Sequence, residues 1–246
     1  GVKSVQPNSI VMTSGLGPYG RSSAGVEIQP QAFAKALLCV TGNPLLLKDV
    51  ACPVKAKFDA FAIHPYTLQG KPTDKAKDGN GGGLGNTPDF KREVDAAVRY
   101  DNVEPAGSKS LFATEFVWLT NPPGRVSLTG PKIGIAPTLA GQYTSETIYR
   151  LYKWGATGAV WYGLRDRVNF WPGGLVFAGD SVASSEAKPS LNAFVTPLFV
   201  SFTGTGARYW AMSHCLGPNA TVMFRAIASD ASGCTATSVE MTAGTG

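Results

Sequence analysis

The sequence predicts an α/β fold: a parallel (β/α)4 sheet followed by a small antiparallel β appendage. Three observations carry this. Four short apolar runs, Ile10 to Gly15, Phe58 to Tyr66, Leu111 to Trp118 and Ala159 to Asp166, have the length and texture of buried strands. A stretch of helical periodicity comes after each, and β-α alternation of this kind predicts a parallel sheet with right-handed crossovers. From Gly206 the texture changes to strand-like alternation with turn residues between the runs. We expect one domain over residues 1–204 and a small, incomplete β appendage over 205–246.

In chain order, Ile10 to Gly15 is the first β-like run, and Gly15-Leu16-Gly17-Pro18-Tyr19-Gly20 is a loop. That loop lacks the Lys-Ser/Thr ending of a phosphate cradle, and no helix starts directly after it. Pro30 to Leu38 is helical, with proline at its start; Phe33, Leu37 and Leu38 share a face. The strand from Phe58 to Tyr66 leads into a loop rich in Gly, Lys and Asp. Thr87 to Tyr100 forms the next helix, with Phe90, Val94, Ala97 and Val98 as its apolar stripe. After the strand at Leu111, a second long loop starts at Asn121. A helix from about Thr138 to Trp154 turns Tyr143, Ile148, Leu151 and Tyr152 to the core, and Gly155 ends it. The strand at Ala159 follows, then a loop with Phe170-Trp171-Pro172-Gly173-Gly174, then a last helix from Pro189 to about Val200. In the appendage, 208–212, 221–225 and 235–241 are strand-like, with a turn at Gly217-Pro218-Asn219, and Asn219-Ala220-Thr221 matches a glycosylation sequon.

Bulk properties narrow the function classes. Hydrophobic content of 43% and charged content of 16% describe a globular chain. The net charge of +5 comes from 22 basic and 17 acidic residues, scattered rather than arranged in a stripe with aromatics, so no nucleic-acid partner is implied. No apolar run approaches the roughly 20 residues that span a bilayer. The four cysteines fall as two local pairs, Cys39 with Cys52 and Cys215 with Cys234. A disulfide closing a loop of about 15 residues stabilises by about 3 kcal/mol; the alternative is buried free thiols. We expect disulfides and an extracytoplasmic or secreted home. Neither CxxC nor HxxxH spacing occurs, so no metal site is expected, and no cofactor is implied.

One carboxylate stands out. Glu115 lies near the end of an apolar strand, where an ionised carboxylate is expensive unless it is paired or hydrogen-bonded. The plainer alternative is a strand-end glutamate that turns to solvent or meets an arginine. The other two strands also end in polar and aromatic groups, His64 and Tyr66 in one, Trp161, Arg165 and Asp166 in the other. Polar groups at the C-terminal ends of parallel strands are where (β/α) barrels place their chemistry.

Taken together, Phe61-Ala62-Ile63-His64-Pro65-Tyr66, Ala113-Thr114-Glu115-Phe116-Val117-Trp118 and Trp161-Tyr162-Gly163-Leu164-Arg165-Asp166 resemble strands six, seven and eight of a clan A glycoside hydrolase barrel, closest to the family 39-like bacterial glycosidases. Lys188 to Phe194 resembles that group's last barrel helix, and the segment after it resembles the β extension of some members. The resemblance implies the C-terminal half of a TIM-type (β/α)8 barrel, strands five to eight, with Glu115 as nucleophile of a retaining O-glycosidase. His64 and Tyr66 would position Glu115 and sugar hydroxyls. Trp118 or Trp161 would form a stacking platform, and Arg165 and Asp166 would close the rim or pair with each other. His64 as a core histidine and Trp161 as core filler are the plainer alternatives.

Retaining hydrolysis needs a second carboxyl about 5–5.5 Å from the first. In the group it resembles, that residue belongs to an Asn-Glu pair on strand four, and no such pair exists among Glu27, Glu93, Glu104, Glu146, Glu186 and Glu240. With two histidines and no Gly-x-Ser-x-Gly elbow, a Ser-His-Asp triad is not supported. Four parallel strands leave open edges, which invite pairing with another chain, so a homodimer covering the open half-barrel is expected. The alternative to an enzyme is a non-catalytic, self-associating half-barrel that binds carbohydrate weakly.

Overall fold

The computed structural model describes residues 1–20, 28–52, 54–67, 70–76, 81–121, 134–167, 171–203, 206–212, 221–225 and 238–242. Its helices are α1 (Val2–Val5), α2 (Pro30–Leu37), α3 (Thr87–Arg99), α4 (Pro137–Lys153) and α5 (Pro189–Val195). Its strands are β1 (Val40–Thr41), β2 (Leu47–Lys48), β3 (Ala56–Lys57), β4 (Ala60–Ile63), β5 (Val103–Glu104), β6 (Ser110–Phe116), β7 (Ala156–Trp161), β8 (Leu198–Thr203), β9 (Gly206–Ala211), β10 (Thr221–Arg225) and β11 (Ser238–Thr242). Residues Gly1–Ala211 form one compact unit and Met212–Gly246 a second.

The first unit is α/β with parallel strands. β6 is central, with β4 and β7 parallel on either side. The run at Ile10 to Gly15 is not a continuous strand. It lies beside β4 through isolated parallel bridges, Met12 to Ala60 and Leu16 to Ile63. A short parallel pair, β3 with β5, and an antiparallel pair, β1 with β2, complete it at the periphery. Cys39, just before β1, and Cys52, in the turn after β2, form a disulfide with Cα atoms 5.6 Å apart, a separation within the normal range. Cys215 and Cys234, and the sequon asparagine, lie outside the described residues.

Helices cover one face of the sheet. Ala34 from α2 and Leu38 at its C-terminal cap meet Phe61 and Ile63 from β4, Phe90 and Val94 from α3, and Leu111 from β6 in one apolar cluster. Ala140 and Leu151 from α4 meet Phe116, Trp118 and Trp161 in a second. The stripe on α3 faces the core as its periodicity requires. That on α2 is rotated: Ala34 and Leu38 are fully buried, whereas Phe33 is exposed. On α4, Leu151 is buried but Tyr152 is exposed, because it rings the outer side with Trp210 at 5.7 Å.

The last helix is shorter than expected. It stops at Val195, before Thr196-Pro197. Proline lacks the amide a helix needs and biases the residue before it to extended backbone. The chain therefore continues as β8, which pairs antiparallel with β9. In the second unit, β10 pairs antiparallel with β11, from Thr221 opposite Thr242 to Arg225 opposite Ser238.

Helix α3 also buries a carboxyl. Asp89 is satisfied by Lys75 at 2.9 Å and Arg92 at 2.9 Å. One turn on, Glu93 is 2% exposed, and its Oε2 has no hydrogen-bond partner. Burial pushes the Glu93 carboxyl up to about 8; Lys35 and Arg92 pull the other way and Asp89 adds to the push. The folded state therefore holds this proton more tightly than the unfolded chain, whose ordinary value is 4.5. Its contribution to stability is complete below about pH 4.5, declines as pH rises, and is gone above about pH 8. We expect Glu93→Gln to flatten the pH dependence of urea unfolding across this window, removing a slope of at most about 1.4 kcal/mol per pH unit, and to be the more stable form at pH 9.

Candidate functional site

Strand β6 alternates until it reaches its glutamate. Leu111 and Ala113 are fully buried against the helices, and Phe112 points to the other face. Strict alternation would turn Glu115 into the helix-packed core. The ladder breaks there: Ala113 pairs with Ala159, but Phe116 pairs with Trp161. β6 thus advances three residues while β7 advances two, a bulge of one residue. The bulge returns Phe116 to the core and leaves Thr114 and Glu115 together outside it, with the Glu115 side chain 32% exposed.

Two side chains converge on that carboxylate. The Tyr66 hydroxyl donates to Glu115 Oε2 at 2.6 Å, and His64 Nδ1 lies 3.3 Å from the same oxygen. Their arrangement is local in origin. The Tyr66 amide donates to the His64 carbonyl at 3.0 Å, closing a tight turn around Pro65. His64 is further held by its own amide, which donates to the Leu16 carbonyl at 2.8 Å. Its ring packs against Gly15, where any Cβ would fall inside the imidazole. Burial, and then the hydrogen bond and charge of Glu115, push the Tyr66 phenol well above its ordinary range. Tyr66 therefore remains a donor throughout the physiological pH range.

An aromatic wall stands beside this group. Tyr66 meets Tyr162 and Trp171 edge-on, each at 6.3 Å, and Tyr162 meets Trp171 at 5.9 Å. Tyr162 is 40% exposed, while Tyr66 is 8% exposed, so Tyr162 presents the more open of these two rings.

The remaining expected site residues lie elsewhere. Trp118 is 2% exposed; its indole N–H donates to Thr147 Oγ1 at 3.1 Å and its ring packs on Tyr143, towards α4. Trp161 is buried between Phe116 and Phe194, its N–H donating to the Gly173 carbonyl at 2.8 Å. Neither offers an open face, so neither is a stacking platform. Arg165 and Asp166 do not pair with each other. Arg165 donates outward to the Gly179 carbonyl at 3.3 Å. Asp166 is buried and accepts from Lys188 Nζ at 2.6 Å and from the Gly174 amide at 2.7 Å. Burial lowers the Lys188 pKa, against the opposing pull of Asp166. The sequence marked Tyr162 and Trp171 only as parts of a strand and a loop, and Lys188 only as a helix start.

Among the described residues, no hydrogen bond joins Glu115 to a second carboxylate. Glu93 is buried on α3, Glu104 pairs with Lys57, and Glu146 pairs with Arg150. Glu27 lies outside the described residues. No cluster of three metal-ligating side chains occurs among the described residues, and no helix there is long and apolar enough to cross a membrane.

No family model matches the chain, and no curated protein matches it. Among solved structures, a calcium binding mutant of Bacteroides uniformis β-glucuronidase 2 is similar at a TM-score of 0.32 and 10% identity, over 75% of this chain and 25% of that one. The same enzyme covalently bound to cyclophellitol-6-carboxylate aziridine is similar at a TM-score of 0.34 and 10% identity, over 79% and 29%. The chain thus spans less than a third of the length of these neighbours. Similarity at this level is weak and does not place the chain in family 39.

Gly15 is a direct handle on the site. We expect Gly15→Ala to displace the His64 ring, seen as a shifted imidazole C–H resonance, and to cost about 1–3 kcal/mol in thermal or urea unfolding through overpacking.

Proposed function

We propose that this chain carries the nucleophile half of a retaining O-glycoside hydrolase site, with Glu115 as the nucleophile, on a half-barrel built around the parallel strands β4, β6 and β7. The observation that carries this reading is the convergence of the Tyr66 hydroxyl and His64 on one Glu115 oxygen, at the C-terminal ends of parallel strands. A hydrogen bond from a neutral donor steadies the carboxylate in one orientation without protonating it. Such a carboxylate can attack an anomeric carbon and form a glycosyl-enzyme ester. His64 and Tyr66 also offer polar atoms to sugar hydroxyls, and the exposed ring of Tyr162 offers a surface to the apolar face of a sugar. The ligand class is therefore carbohydrate, and the disulfide is compatible with a secreted protein.

The acid/base partner comes from outside the described residues or from a second copy. A leaving group that departs without protonation bypasses the missing acid. The purified chain should therefore cleave glycosides of nitrophenol, and should not cleave alkyl glycosides. Glu115→Gln should abolish the first activity while leaving the circular dichroism spectrum unchanged. Turnover that survives in Glu115→Gln would remove Glu115 from the mechanism.

A second reading has its own support: Asp89, Glu104, Glu146 and Asp166 are each paired with a cation rather than with Glu115. On that reading the chain is a non-catalytic, self-associating half-barrel that binds carbohydrate. Both readings share the homodimer. The sheet face away from the helices carries Phe112 and exposed Val160, and β7 ends the ladder on its side. Light scattering at micromolar concentration should give twice the chain mass; the mass of one chain would contradict the homodimer.

A further inference from the structure

Lys188 is the most deeply buried cation in the described part of the chain, with no exposed surface on its side chain. Its Nζ donates to three acceptors from three separate segments: Asp166 Oδ1 at 2.6 Å, Thr120 Oγ1 at 2.8 Å and the Pro172 carbonyl at 3.2 Å. It also lies 5.1 Å from the centre of the Phe177 ring. Thr120 follows β6, Asp166 follows β7, and Pro172 belongs to the loop beyond. The ammonium thus ties the C-terminal ends of two neighbouring strands to one loop.

That loop is fixed from several other directions. The Thr120 amide donates to the Pro172 carbonyl at 2.9 Å, the Trp161 indole to the Gly173 carbonyl at 2.8 Å, and the Gly174 amide to Asp166 Oδ1 at 2.7 Å. Trp171 immediately precedes these contacts. Its ring stands edge-on against Tyr66, and Tyr66 holds Glu115. The polar knot at Lys188 and the carboxylate are therefore joined through two packed rings and one hydrogen bond.

A buried ion pair is a poor source of net stability, because desolvation offsets most of its attraction, and an apolar pair of similar volume does as well. What it supplies instead is direction: three acceptors around one ammonium admit a single arrangement of the segments that carry them. We propose that Lys188, with Asp166, is a positioning residue, whose role is to hold Trp171 against Tyr66 and so to fix the Tyr66–Glu115 hydrogen bond. The consequence for catalysis rests on the reading of Glu115 as nucleophile. The positioning itself does not, and it is tested without turnover.

The variants are Lys188→Met and the double variant Lys188→Met/Asp166→Asn. The second keeps the test open where the single change strands a buried aspartate and prevents folding. Two readouts are taken on each folded variant. Hydrogen exchange follows the amides of Trp171, of Gly173 to Leu175, and of Tyr66 and Thr67. Carbodiimide coupling with a glycine ester, mapped by peptide mass, follows the reactivity of the Glu115 carboxyl, with Tyr66→Phe as the reference for a carboxylate that has lost its donor. We expect exchange in both segments to rise by roughly an order of magnitude while α3 and β4 stay protected. Glu115 labelling should rise to the Tyr66→Phe level. Labelling that stays at the parent level in a folded double variant overturns the proposal, as does a uniform rise in exchange across the helices. Absence of glycosidase activity in the parent chain would overturn the nucleophile reading and leave both readouts intact.

Discussion

The structure depends on keeping one charge out of a core that the rest of its strand helps to build. Leu111, Ala113 and Phe116 of β6 all belong to the helix-packed side, and a carboxylate beside them would be desolvated without compensation. The single-residue bulge between Ala113 and Phe116 resolves this conflict. It lets the strand resume packing at Phe116 and turns Glu115 to the side where Tyr66 and His64 wait. The compact turn at Pro65, the glycine under His64 and the loop tied by Lys188 all act on the same few ångströms. Each sets the direction of a group that touches, or backs, that one oxygen.

Much of the architecture was legible in the chain. The apolar stripe of α3, the proline starts of α2 and α5, and the glycine after α4 are local signals, and local signals survive folding. The order β4, α3, β6, α4, β7, α5 followed from their alternation, whereas the first expected strand, Ile10 to Gly15, is present only as isolated bridges. Tyr66, His64 and Glu115 could be grouped because all three stand at strand ends. What could not be read was direction. Trp118 and Trp161 occupy motif positions beside the site, yet the bulge and the packing of α4 and α5 turn both rings into the core. Periodicity does not reveal a bulge, because one inserted residue inverts every later assignment of face. Asp166 and Lys188 are 22 residues apart, and no local pattern joins them. The end of α5 was readable, since Pro197 follows it directly, but the helical texture of the preceding residues outweighed that signal.

The chemistry that Glu115 can perform is limited by what surrounds it. The raised phenol pKa keeps the Tyr66 donor in place on the Glu115 carboxylate. Protonation of a leaving group requires a second carboxyl, and among the described residues none is hydrogen-bonded to Glu115. On the proposed reading, the chain carries only the first half of a displacement and acts on substrates whose leaving groups need no proton.

That separation selects the most direct measurement: incubation of the chain with 2-fluoro glycosides of good leaving groups, over a range of common pyranosides, followed by peptide mass mapping. Fluorine at the 2-position slows hydrolysis of the ester intermediate, so an attacking carboxylate stays labelled. The account predicts one glycosyl adduct, on the peptide containing Glu115. An adduct on another carboxylate with Glu115 unmodified, or no adduct with any sugar, would contradict it.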